Sequence, residues 1–131
     1  MTVDRLGATY QPYVLSLFRF ITGLTLFQYG VAKIFKFPVL PYFADIPPLI
    51  QVAGWLELVL GALLMIGLFT RIVAFILSGE MAFAYFMVHA PKSFYPAANG
   101  GNLAVLYCFV FLYLFFAGPG PWSLDHALKQ E

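Results

Sequence analysis

The sequence predicts an all-α protein, a four-helix transmembrane bundle, and three observations carry that expectation. Of its 131 residues, 62% are hydrophobic and 10% charged, where a soluble domain carries about 25% charged residues. A chain this short has too little interior to hide so much apolar side chain from water, and its mean hydropathy is +0.85. The apolar residues also fall into four stretches rich in Leu, Phe, Val, Ala and Gly, without the alternation of a barrel strand. A lipid bilayer is therefore the expected partner of the surface. The whole chain reads as a single membrane domain.

The first helix is expected at about 13–33, after a polar opening that ends at Pro12. Asp4 beside Arg5, and the lack of a small-x-small site after Phe27, argue against a removable signal peptide. The connection from Phe35 to Pro48 interleaves Pro38, Pro41, Pro47 and Pro48 with Phe37, Tyr42 and Phe43. Prolines deny it a regular helix and aromatics favour the membrane interface, so a lid over the bundle end is expected. The second helix is placed at 49–68 and the third at 72–89, joined by a tight turn around Thr70 and Arg71. Residues Ala90–Gly101 form another loop of Pro, aromatics, Asn and Gly. The fourth helix spans 101–117, and "GPGPWSLDHALKQE" then breaks it. The last part, 121–129, is an interfacial segment with Trp122 as anchor and Ser123 as a helix cap.

An even number of spans places both termini and the Arg71 turn on one face, with Arg5 and Lys129. Lys36 and Lys92 mark the other, with Lys33 at its edge. The small excess of basic residues favours cytoplasmic termini. A net charge of +1 leaves no nucleic-acid footprint, and the single Cys108 excludes an internal disulfide. No metal-ligand spacing, haem motif or flavin fingerprint is present.

Ionisable residues inside a bilayer are rare and usually face the bundle interior. Measured from the termini face at the helical rise, Arg19 lies about 9 Å deep, Glu80 about 12 Å and Glu57 about 16 Å. Lys33 is about 30 Å away, at the opposite end. Arg19 is therefore expected to bridge Glu57 and Glu80 in one buried layer. Arg19, Gly23, Leu26, Gly30 and Lys33 recur at steps of four and three, as do Gly54, Glu57 and Gly61, so each set shares a helix face. Two carboxylates sharing one cation do not both ionise easily, which makes Glu57, Glu80 and Arg19 candidates for proton exchange. A purely structural clasp between helices is the competing reading. At the other end Tyr29, Lys33, His89, Tyr95, Asn99 and Asn102 are expected to form a cationic, amide-rich pocket for a flat polar headgroup. The aromatics of "YCFVFLYLFF" are expected to face lipid.

At this point the motifs resemble a known family. Arg19 with "GLTLFQYGVAKIF", then "GWLELVLGALLMIGLFTR", "NGGNLAVLY" and "GPGPWSLD" follow, in order and spacing, the pattern of the DoxX family of small bacterial membrane proteins. Arg19, Gly30, Lys33, Glu57, Gly61, Arg71 and Asp125 match that pattern, whereas Asn102 stands where an acidic residue is expected. The resemblance implies a four-helix protein of the bacterial inner (plasma) membrane. It also implies a link to membrane redox and sulfur-stress complexes, since the family takes its name from a subunit of a quinone-reducing thiosulfate oxidoreductase. The leading expectation is thus a quinone-associated accessory subunit working with a redox-enzyme partner or as a homo-oligomer, the quinone being its cofactor. A scaffold without chemistry and a small proton-linked transporter are the alternatives.

Overall fold

Helix α1 begins where Thr2 caps it, the hydroxyl oxygen accepting from the Arg5 amide at 3.2 Å, and Asp4 adds negative charge in the first turn. Both features suit the electropositive start of a helix. In the computed structural model, which describes residues 2–36 and 47–129, α1 runs through Pro12 from Val3 to Phe35. It therefore starts well before the expected boundary near Tyr13. A proline removes one helical donor, and the turns on either side carry the helix past it. The expected aromatic lid, with Phe37, Pro38, Pro41, Tyr42 and Phe43, lies outside the described residues.

Among the described residues five further helices follow: α2 (Pro48–Ile66), α3 (Thr70–Ala84), α4 (Pro96–Asn99), α5 (Asn102–Ala117) and α6 (Leu124–Ala127). Helix α3 continues through a π-helical turn, Tyr85–His89, and a 3-10 turn, Ala90–Lys92. No strand occurs among the described residues. Three segments, Val3–Phe35, Pro48–Ile66 and Thr70–Lys92, are long and apolar enough to cross a membrane. Helix α5 has 16 residues, which makes it about 24 Å long.

The bundle is built from two tightly packed pairs, α1 with α2 and α3 with α5. Glycine makes the first pair possible. A Cβ on Gly30 would fall 2.6 Å from the Leu58 amide nitrogen, and one on Gly23 would fall 2.9 Å from that of Met65. The two backbones are in contact along the stripe read from the sequence, as small residues allow in membranes. The second pair is joined by Ser78, whose hydroxyl donates to the Cys108 carbonyl at 2.8 Å. Leu26, Leu64, Leu77, Phe111 and Leu114 fill the space between the pairs.

Candidate functional site

Two clusters of polar side chains lie at opposite ends of the bundle. At the end bearing the termini, the last carbonyls of α2 and the irregular chain after α5 need donors, because helix ends leave such groups unpaired. Arg19 supplies them. Its guanidinium donates to Leu64 O at 2.9 Å, Met65 O at 3.3 Å and Trp122 O at 2.9 Å, and also to Pro119 O. Arg71 does the same for α5, donating to Phe115 O and Phe116 O at 2.9 and 2.8 Å. Asp125 closes the arrangement: its carboxylate accepts from the Phe69 and Thr70 amides at 2.7 and 2.8 Å and so caps α3. Trp122 N donates to Ser16 at 3.0 Å, and Gly118 and Gly120 take the positive φ values that the segment requires. This end is a clasp of backbone and charge.

The expected layer of Arg19, Glu57 and Glu80 is therefore corrected. Arg19 is bound to carbonyls, and the cation that meets Glu57 is Lys33, at 2.8 and 2.9 Å to its two carboxylate oxygens. Side-chain direction explains the difference. Side chains of a helix lean toward its N-terminus, so Arg19 reaches back toward the termini face. By the same lean, Lys33 reaches back from the opposite face into the bundle. A depth reckoned at the Cα atoms therefore places both charges too far from the termini face. The Lys33 and Glu57 side chains are 14% and 3% exposed, so the pair is largely shielded.

Glu80 of α3 belongs with this pair. Glu57 is its neighbouring carboxylate, and both Glu80 carboxylate oxygens are buried without a hydrogen-bond partner. Two carboxylates facing one another are acceptor against acceptor. A bond between them requires a proton on one, or a donor brought from outside. Buried acceptors left in this state are rare in proteins and call for an explanation.

The Glu57–Glu80 pair borders an open space. A cavity of about 520 Å³ lies among α1, α2, α3 and α5, with Lys33, Glu57 and Glu80 in its wall. Tyr29 and His89, both expected in a binding pocket, also line it, together with Lys92 and Tyr107. Asn102 is exposed at the start of α5 and is not part of the lining. Asn99 serves the loop instead: its amide donates to Tyr85 and to Ser93 O, and its side-chain oxygen accepts from Gly101 N. The Asn99 carbonyl in turn lies 3.1 Å from His89 Nδ1, which fixes the ring at the cavity edge. Tyr95 is exposed and stacks edge-on against Phe94.

Phe111, expected to face lipid, lies fully buried in the core, and Tyr107 does not face lipid either. It is buried, its hydroxyl donates to Thr25 at 2.6 Å, and its ring stacks on Phe111. Tyr107, Phe111 and Leu114 share one helix face at steps of four and three, but α5 is apolar all round and gives the sequence no contrast that marks it.

Fold and site together define a class: a helical membrane protein with one end tied shut and an internal cavity toward the other, carrying a lysine and two carboxylates. Residues 14–90 match the DoxX family. This chain belongs to the DoxX family. A protein of Haemophilus influenzae described as uncharacterized is 43% identical over 128 residues, covering 93% of this chain and 96% of its own. A second uncharacterized protein of that organism is 32% identical over 80 residues, covering 61% of this chain and 53% of its own. No solved structure matches.

Proposed function

We propose that this protein binds the head of a lipophilic quinone in the Lys33–Glu57–Glu80 cavity, as the accessory subunit of a redox enzyme in the bacterial plasma membrane. The termini would face the cytoplasm. The observation that carries this reading is a cavity among the helices whose lining includes the Lys33–Glu57 ion pair and a second carboxylate, Glu80, beside it. The cavity volume falls within the range of about 300–1,000 Å³ common to small-molecule sites. The donor set fits such a head in both its states. The Lys33 ammonium would donate to a ring carbonyl, and Glu80 would accept from a ring hydroxyl of the reduced head. A quinone would supply the two-electron, two-proton couple that the side chains lack. Glu80 would hold or release a proton at its carboxylate, and Lys33 would hold Glu57 in place. Electrons would come from the partner enzyme.

Purification from native membranes, with chemical analysis of the lipid extract, tests the proposal. Quinone is expected at near-stoichiometric levels in the wild type and at much lower levels in Glu80→Gln and Lys33→Met. Extract without quinone from well-folded wild-type protein would overturn it. The bonds of Arg19, Arg71 and Asp125 to backbone favour a second reading, a scaffold that only orders its own helices. That reading expects no bound small molecule in the same extract.

A further inference from the structure

A second cavity shares a wall with the first. It holds about 320 Å³ between α2 and α3, and Ile50, Ala53, Glu80, Ala84 and Val88 border both spaces. Apart from Glu80 its lining is apolar, and its outer rim includes Val52, Phe83 and Met87, each more than half exposed at the depth of the bundle. Helices α2 and α3 are joined by a short turn, yet they pack less closely than the α1–α2 and α3–α5 pairs. At the shared wall two side chains are small, Ala53 on α2 and Ala84 on α3, beside Ile50, Glu80 and Val88.

From this shared wall we infer that the site takes a single-tailed amphiphile, its polar head on the Lys33 and Glu80 side and its apolar tail leaving sideways between α2 and α3 into the bilayer. The inference rests on the head-binding reading above and adds the tail subsite and the route of entry. The geometry explains why the seam is loose and apolar where its neighbours are closed. The shared wall leads from the head cavity to the apolar rim between α2 and α3. Among the described residues Glu80 is the one ionisable residue that borders both spaces, and its carboxylate oxygens lie buried behind that wall.

The test uses the full-length protein in phosphatidylcholine nanodiscs and two probes. One is a hydroquinone with a decyl tail ending in a diazirine, and the other is tailless tetramethylhydroquinone as competitor. Photolabelling mapped by mass spectrometry is expected within residues 49–56 and 76–88, and the competitor is expected to suppress it. Ala84→Phe, with Ala53→Phe as a second variant should the first fold poorly, is expected to reduce that label several-fold. Competable label at the α1–α5 seam or in the loops would overturn the lateral route while leaving the head site standing. Label on α2 and α3 that the competitor does not touch would mean a lipid-facing groove only, and would overturn the inference. Absence of competable label anywhere would remove the head site as well.

Discussion

A lysine paired with one of two neighbouring carboxylates is the residue-scale centre of this protein. Lys33 satisfies both oxygens of Glu57, and its removal would leave two buried acids with no cation on them. Breaking a buried pair from one side costs about 3–5 kcal/mol, while replacing both partners by apolar groups is often near neutral. Lys33→Met is therefore expected to lower thermal stability in detergent strongly, and Lys33→Met with Glu57→Leu is expected to recover most of the loss. If the double variant melts no higher than the single one, the pair does not carry that energy. The sequence places these residues on the right faces, because the four-and-three spacing of charges and glycines is visible in one dimension. It does not show which cation meets which acid. That depends on the length and lean of the side chains, which displace each charge by about a helical turn from its Cα.

At the scale of elements, the α1–α2 seam and the free face of α3 make opposite predictions for the same substitution. A Cβ at Gly30 meets the backbone of Leu58, which cannot give way without parting the helices. Overpacking of this kind costs about 1–3 kcal/mol, and because Lys33 and Glu57 lie on the same seam, the cavity wall would shift with it. A methyl group on Gly79 would have nothing within 4 Å of it, and the residue lies exposed inside α3. There an alanine relieves the entropic cost of a helical glycine, a gain of roughly 0.5–1 kcal/mol. Gly30→Ala should thus lower the melting temperature and Gly79→Ala should raise or preserve it, measured under identical detergent conditions. The helices themselves are legible from apolar runs and turn residues. The inward face of α5 is less so, because a helix apolar all round gives no contrast between lipid and core. Only its hydroxyl contact to Thr25 separates Tyr107 from the aromatics that face outward.

Across the whole molecule, holding the fold and holding a ligand are assigned to different ends. The clasp joins α1, the α2–α3 turn and the chain after α5 through Arg19, Arg71 and Asp125, whereas the cavity draws on Tyr29, Lys33, Glu57, Glu80 and His89. The expectation that Arg19 takes part in proton exchange treats a charge in the membrane as chemistry. Here its use is to supply donors to carbonyls that a short α5 and a glycine-proline break leave in need of them, a demand the bilayer cannot meet. Each carbonyl deprived of its donor costs about 1–3 kcal/mol. Arg19→Met is therefore expected to destabilise the protein markedly, and Arg19→Lys to restore little, since an ammonium lacks the planar fork that reaches several carbonyls at once. Asp125→Ala should act in the same direction by uncapping α3. Below their melting temperatures, however, these variants should retain the competable photolabel of the cavity. Glu80→Gln should show the converse, with stability kept or improved because an amide can donate to Glu57, and labelling reduced. Melting curves and photolabelling on the same four variants decide it. Loss of label in folded Arg19→Lys, at a temperature where the wild type keeps its own, would mean that the two ends are coupled and that the division of labour is wrong.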